Sequence, residues 1–596
     1  MKKNLLFFHL DSLMYDAIVD TKNRKCPMPF LQSLVSQGLH TDKLYSKAPY
    51  TEAAIMSLYC GFDTMSYGGY MEKFANAPNI IYKVLKKNDY RTFTIGQTYV
   101  FSSVEDLGFS DYYYAIGHDF HAFWPYRLSY FSPLYKQNKL DENDYECLFR
   151  MFESNMEEWL CFLHLVINKD EKVKFLLQFC SKIDMAQSTA DELERQKLIY
   201  FNDKKSYIND FLNQGYDHIL LRLPSFMLDK KVKSPEAIDF ITTQFHDFAK
   251  ESYKFNQKQN LKYNHISIPF CFKLLAKMIK NPTKANLKLF ARYLLNYKES
   301  IFDSDMMSRF EKDYYNMKNG MSITSHYNLF LDWYDNVYDK NSPFAAFFTI
   351  DDIHNNEMFF SYDSNDVDVL KQELKQLQEF KKTLPKQYKG SISYDYAMVY
   401  LDNVLKKIYY SLKEKGILDN SYLVLTSDHG FSFRNDPVRC ENVTNFYAEN
   451  YHVPFVVLGD DIPSKKVSDF RTSCDVTATI LDVLGIEKPD TYRGTSFNEP
   501  STKDYVTMEY MGAGCPDVRR RPLQFAARND NYSIIVSVNL KEEFSLDNVV
   551  AVFDLKNDPG ELKNKRKQLI NNPSVIKLID ALKTRHKQLQ QEYSNK

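Results

Sequence analysis

Four places in the chain set a chemically capable side chain directly after an apolar run or at the start of a helical one. Asp11-Ser12 follows Leu5-Leu6-Phe7-Phe8-His9-Leu10, and Asp351-Asp352-Ile353-His354 follows Ala345–Ile350. Ser427-Asp428-His429-Gly430 follows Tyr422–Thr426, and Thr51 opens a helical run that closes near Gly61. Asp11, Asp428, His429 and His354 are predicted on one sheet edge, the hard-and-borderline ligand set that a divalent ion such as manganese, zinc or magnesium takes. A hydroxyl bound to such an ion loses its proton readily and becomes a nucleophile. Placed at the helix N-cap, where free N–H groups and the helix dipole favour negative charge, Thr51 would face a phosphate or sulfate ester. Each residue alone has an ordinary reading, as a cap, a surface histidine or a chance tripeptide; their order along the chain gives them weight. His452, just before Val453-Pro454, and Arg493, in Tyr492-Arg493-Gly494, are further candidates for holding an anionic substrate.

The elements that must position these residues are legible as alternating strands and helices. In an open parallel sheet, ligands bind beyond the carboxyl ends of the strands, which is where Asp11, Asp351 and Asp428 fall. Residues 1–117 show a strand–helix rhythm, with strands at Leu5–Leu10 and Arg91–Ile95 and a helix around Phe30–Ser36. Residues 118–342 contain two glycines, Gly215 and Gly320, and carry apolar residues at helical spacing, as in Phe149, Phe152, Met156, Leu160 and Leu163. They read as a helical insertion. The rhythm resumes over 343–500, where Ala397, Tyr400, Leu401, Val404, Leu405, Ile408 and Leu412 predict a helix ended by Gly416, and Val453–Leu458 predicts a strand. Residues 501–596 carry four strand-like runs and a charged helix from about Ser574, a small α/β lobe. The predicted fold is α/β, a mostly parallel sheet flanked by helices, interrupted by the helical block.

Composition narrows the class. Lys+Arg number 76 and Asp+Glu 77, for a net charge of -1, which excludes a globally basic nucleic-acid binder. Only 18 of 596 residues are glycine while 15% are aromatic, a balance that favours helix over a turn-rich all-β chain. The nine cysteines are scattered and form no CxxC pair, as expected of free thiols in a reducing compartment. The apolar run after Met1-Lys2-Lys3-Asn4 is too short for a secretory leader, and no stretch reaches the ~18 residues of a membrane span. The sequence-based expectation is a cytoplasmic protein with no integral membrane segment.

The phrases Asn4–Ser12, Thr51–Gly61, Val424–Gly430, Val453–Val457, Ser473–Gly485 and Phe553–Glu561 together resemble the sulfatase branch of the alkaline phosphatase superfamily, in that family's order. The resemblance implies the superfamily's parallel sheet and a metal-assisted esterase or transferase. Asp11, Thr51, Asp428 and His429 fall on the metal and nucleophile positions, and His354 on a histidine that contacts the substrate oxyanion or protonates the leaving group. The departures are specific. Where formylglycine sulfatases open their helix with Cys-x-Pro-Ser-Arg, this chain has Thr51, Ala53, Ala54 and Ile55. Their paired acids become Asp11-Ser12, and their Gly-Lys-x-His becomes Gly96-Gln97-Thr98-Tyr99. A threonine nucleophile is similar to that of the phosphoglycerol and phosphoethanolamine transferases, including lipoteichoic acid synthases. The expected substrate is an anionic phosphate ester or phosphodiester, a glycan being one carrier. A sulfate ester hydrolase lacking formylglycine and a non-catalytic binding module remain the alternatives.

Overall fold

The computed structural model describes residues 2–21, 24–70, 74, 77–96, 107–114, 120–226, 234–244, 275–276, 279, 322–354, 366–386, 388, 392–431, 446–512, 518–519 and 521–594. Gln97-Thr98-Tyr99 lies outside these residues, as does most of 245–321.

The run at Asn4–Leu10 (β1) is apolar on both faces because it lies in the middle of a sheet covered on both sides. It pairs in parallel with Phe344–Ile350 (β6) and Ser421–Thr426 (β7), in the registers Leu10↔Ile350 and His9↔Thr426. Around this centre the other strands are Leu39–Thr41 (β2), Arg91–Gly96 (β4), Asp111–Tyr114 (β5), Phe455–Leu458 (β8) and Lys465–Val467 (β9). The sheet order is β5-β4-β6-β1-β7-β8-β2-β9. β8 runs antiparallel to both of its neighbours, and the other pairs are parallel. Leu44–Tyr45 (β3) and Arg471–Thr472 (β10) form a separate two-stranded pair.

Alternation along β1 divides the core. Leu5 and Phe7 pack on the face covered by helices Thr51–Cys60 and Ser473–Val483, while Leu6, Phe8 and Leu10 face helices Ile323–Asn336 and Ile392–Glu414. The stacked Phe8–Phe348 pair, 4.5 Å between centroids, ties β1 to β6 on the second face. Each such phenyl contributes about 1.5–3 kcal/mol by leaving water. Helix Ile323–Asn336 falls inside the 118–342 stretch yet packs on the sheet. The helices from Phe120 to Gln214 pack on one another around Trp124, Phe152, Trp159 and Phe211 and reach the edge strand β5, where the Phe162 ring lies 5.5 Å from that of Tyr114; Pro235–Gln244 packs instead against helix Val367–Thr383.

The C-terminal lobe is a four-stranded antiparallel sheet, Val506–Tyr510 (β11), Leu523–Arg528 (β12), Tyr532–Val538 (β13) and Val549–Asp554 (β14), covered by helix Pro573–Ser594. It holds the approach to Thr51. Glu509 N–H donates to the Lys47 carbonyl at 2.8 Å, its carboxylate accepts from Met65 N–H at 2.8 Å, and Arg585 grips that carboxylate at 2.7 and 2.8 Å. Lys47 is itself paired with Asp63 at 2.5 Å and donates to Thr507 Oγ1 at 3.0 Å. Removing one member of such buried pairs leaves an uncompensated charge, so the segment leading into the Thr51 helix is held in one geometry.

Candidate active site

Parallel register brings the carboxyl ends of β1, β6 and β7 to one edge, with Asp11 one residue beyond β1 and Asp428 two beyond β7. The first turn of helix Thr51–Cys60 meets the same edge. Tyr50, extended at φ -157° and ψ 159°, is the N-cap and Thr51 is the first helical residue, which corrects the expectation that Thr51 caps the helix. Its hydroxyl therefore serves no backbone N–H of the first turn and turns to the sheet edge instead. At the other end Gly61 closes the helix with φ +64°, and a Cβ there would meet the Tyr492 ring at 2.7 Å.

Thr51 Oγ1 lies 3.0 Å from His429 Nε2 and 3.3 Å from Asp11 Oδ2. His429 Nε2 is 3.4 Å from Asp428 Oδ2 and 3.7 Å from Asp11 Oδ1. One ligand atom from each of Asp11, Asp428 and His429 lies within 4.8 Å of the others, and all three residues are buried. The hydrogen bonds behind these atoms decide what they offer. His429 Nδ1 meets the Gly430 carbonyl at 2.6 Å; a carbonyl only accepts, so Nδ1 carries the hydrogen and Nε2 of the neutral ring presents its lone pair. Asp428 Oδ1 accepts from His429 N–H at 2.8 Å and Ser12 N–H at 3.3 Å, whereas its buried Oδ2 accepts no hydrogen bond among the described residues. Asp11 Oδ1 accepts from Ser12 Oγ at 2.7 Å. Lone pairs from an imidazole and two carboxylates thus converge with one hydroxyl hydrogen among them, an arrangement that a cation relieves.

Electrostatics support the same picture. Burial alone would raise the Asp428 pKa; His429 and His9 overcome it and hold the carboxyl well below the ordinary value. Burial opposes protonation of His9, but Asp428 and Asp11 carry the His9 pKa above 6.5. Ser12, at φ +69°, occupies the left-handed region that a serine seldom adopts. Tyr394 OH, donating to the Ser12 carbonyl at 2.6 Å, and the Ser12 N–H bond to Asp428 hold it there. Ser427 Oγ ties the two loops together, donating to the His429 carbonyl at 2.7 Å and accepting from Leu13 N–H at 3.0 Å.

The remaining candidates sit elsewhere. His354 is exposed at the end of β6, on the same edge, its ring 6.4 Å from that of Phe431. His452 is also at this edge, because β8 runs antiparallel to β7, but its ring is stacked between Tyr15 at 4.3 Å and Tyr45 at 4.9 Å. Its Nε2 meets the Asp42 carbonyl at 2.9 Å, and burial first, then Arg528, pushes its pKa down to about 4. That environment makes it a packing residue and corrects its assignment to substrate. Arg493 is corrected too. Its backbone N–H donates to the Gly61 carbonyl at 2.6 Å, at the far end of the Thr51 helix, roughly 15 Å of helix from the hydroxyl. Sequence reasoning missed His9, Ser427, Tyr59 and Tyr394. The one visible signal was His9, a polar residue inside an otherwise apolar central strand.

Residues 3–486 match the protein family described as Sulfatase. The chain belongs to the sulfatase family. Residues 443–592 also match the family described as N-sulphoglucosamine sulphohydrolase, C-terminal, which takes in the lobe of β11–β14. Among curated relatives of this sulfatase-family chain, arylsulfatase K of Bos taurus is 26% identical over 198 residues, 30% of this chain and 34% of that protein. The multifunctional alkaline phosphatase superfamily protein PehA of Trinickia caryophylli is 26% identical over 190 residues, 30% of this chain and 36% of the relative. The aligned region thus spans about a third of the length of these relatives. Similar solved structures include the lipoteichoic acid synthase LtaP from Listeria monocytogenes, with 14% identity and TM-score 0.46 over 100% of this chain and 92% of that one. Another is the phosphonate monoester hydrolase SpPMH from Silicibacter pomeroyi, with 12% identity and TM-score 0.48 over 99% and 96%. No helix among the described residues is long and apolar enough to cross a membrane.

Proposed function

We propose that this sulfatase-family chain is a metal-dependent hydrolase or transferase of phosphate esters or phosphodiesters, with Thr51 as its nucleophile. The observation that carries the reading is the convergence of Thr51 Oγ1 with His429 Nε2 at 3.0 Å and Asp11 Oδ2 at 3.3 Å, beside the unsatisfied Asp428 Oδ2. Asp11, Asp428, His429 and Thr51 would hold one divalent ion. Such an ion supplies a lowered pKa for the threonine hydroxyl and charge stabilisation for the ester oxygens. Carboxylates whose second oxygen is already occupied and a single imidazole favour manganese, zinc or magnesium over calcium, which takes six to eight oxygens.

Thr51 Oγ1 gives its proton to Asp11 Oδ2, 3.3 Å away, and attacks phosphorus; the bond from phosphorus to the leaving oxygen breaks, and the leaving oxygen takes its electron pair. His354, exposed on the same edge, gives that oxygen a proton. Water, or an acceptor alcohol in the transferase case, then gives a proton to His354 and attacks the phosphothreonine, and Thr51 Oγ1 leaves phosphorus and takes its proton back from Asp11. Threonine in place of a formylglycine precursor supports phosphoryl over sulfuryl transfer. The N-sulphoglucosamine sulphohydrolase match over 443–592 favours the second reading, a sulfate ester on a sugar. Side-by-side assay of chromogenic phosphodiesters, phosphomonoesters and sulfate esters separates the two, and metal-dependent phosphodiester turnover that Thr51→Ala abolishes is the expected result. Full activity in Thr51→Ala overturns the nucleophile. The cytoplasmic location belongs to the same proposal, supported by the scattered cysteines and the lack of any CxxC pair in the sequence, and checked by cell fractionation.

A further inference from the structure

His9 is completely buried in the central strand, and the proposed reaction gives it no chemical role. It occupies a position where a hydrophobic residue would cost less, since an imidazole taken from water must recover its hydrogen bonds. It faces polar atoms on both sides of the site. His9 Nε2 lies 3.1 Å from Asp428 Oδ1, an ion-pair contact without the alignment of a hydrogen bond. His9 Nδ1 lies 3.0 Å from Tyr59 OH. Tyr59 belongs to the helix that begins at Thr51, eight residues on, and is itself buried. The Tyr82 ring packs against it, 5.2 Å between centroids.

The contacts run from Tyr59 through the His9 ring to Asp428 Oδ1. On that oxygen His9 adds to the N–H groups of His429 and Ser12. Asp428 Oδ1 is thus engaged from three sides, and Oδ2 remains, facing His429 Nε2 at 3.4 Å.

We infer that His9 is a positioning residue that holds Asp428 by Oδ1, leaving only Oδ2 for a cation and locking the Asp428 loop to the helix that carries Thr51. This rests on the metal reading of the site. It deepens that reading by naming the group outside the ligand set that fixes how one ligand presents itself.

The test is calorimetric titration of the metal-stripped full chain with Mn²⁺ and with Zn²⁺, for the wild type, His9→Leu, His9→Gln and Tyr59→Phe. Thermal melting without metal reports the fold of each variant. Loss of a polar partner behind a ligand weakens metal binding about 10–100-fold, the effect expected for His9→Leu. His9→Gln, whose amide N–H can reach the same oxygen, should return binding to within about fivefold of wild type, a rescue that a mere space-filling role would not give. Tyr59→Phe removes the oxygen that meets His9 Nδ1 at 3.0 Å and should weaken binding a few-fold. A folded His9→Leu with wild-type affinity overturns the inference, as does His9→Gln no better than His9→Leu. Should His9→Leu fail to fold, unchanged affinity in Tyr59→Phe overturns it. If the wild type itself takes up neither ion, the metal reading has failed and the inference falls with it, a result distinct from equal binding in wild type and variants.

Discussion

The sheet edge and the helical block Phe120–Gln214 bury polar groups in opposite ways. In the block, the buried polar side chains are spread out and mostly partnered locally; among the described residues Trp159 Nε1 and Asn155 Nδ2 are isolated exceptions. Trp124 Nε1 donates to Asn155 at 2.9 Å, Tyr207 OH to Gln196 at 2.6 Å, and Asp144 reciprocates Asp141 in a capping box. At the sheet edge His9, Asp11, Ser12, Ser427, Asp428 and His429 are gathered in one place, and acceptors face acceptors. Local satisfaction identifies a scaffold. Convergent lone pairs without enough hydrogens identify a site, because such an arrangement persists only if something absent from the protein's own atoms completes it.

That contrast can be broken in graded ways. The largest effect should come from Thr51→Ala, which is expected to lower phosphodiesterase turnover by on the order of 10³-fold or more while leaving the melting temperature within ~2 °C. Phe152→Ala in the block should do the reverse. It removes a ring packed against Phe120, Trp124, Tyr200 and Phe211, and should cost about 3–5 kcal/mol in denaturant unfolding with per-molecule metal affinity unchanged. A loss of metal affinity as large as the loss of stability would show that the two regions are not separable.

Acid should act next. His326, under the sheet in helix Ile323–Asn336, is fully buried with both ring nitrogens lacking a hydrogen-bond partner among the described residues, and burial pushes its pKa down to about 4. Its neutral form is the folded form, so its contribution is intact above pH 6.5 and is lost as pH falls from 6.5 towards 4. The full loss is about 3 kcal/mol. Chemical melts of His326→Leu across that range should show the slope reduced by this amount; an unchanged slope would place the acid sensitivity elsewhere. Asp141→Ala should cost about 1 kcal/mol, the value of one helix cap, with no change in turnover. Smallest of all, Arg493→Ala should leave KM for a phosphodiester within about twofold, given its position beyond the far end of the Thr51 helix; a tenfold rise would restore it to the substrate site.

Legibility followed burial. β1, β6 and β7 were readable because both of their faces are covered, which writes an unbroken apolar run into the sequence. The helix ended by Gly416 was readable from its spacing and its left-handed glycine. β2, β3, β9 and β10 were not, since two- or three-residue pairings are set by their tertiary partners and leave little pattern. β5, Asp111–Tyr114, has three tyrosines whose burial depends on the packing over that edge of the sheet. At the site, position after a strand located Asp11, Asp428 and His429, but proximity in sequence does not say where a ring points. His452 thus passed for a ligand contact while two tyrosines hold it. His9 was visible as an interruption of an apolar strand, yet only the three-dimensional pairing with Asp428 and Tyr59 gives it meaning.

The central claim is covalent chemistry at Thr51, and the most direct measurement is mass spectrometry of protein acid-quenched during steady-state turnover of a chromogenic phosphodiester with added Mn²⁺ or Zn²⁺. The account predicts a phospho-adduct confined to the peptide containing Thr51 and mapped to that residue, absent from Thr51→Ala and from metal-stripped protein. Turnover that proceeds at full rate in Thr51→Ala with no adduct on the wild-type Thr51 peptide would contradict it.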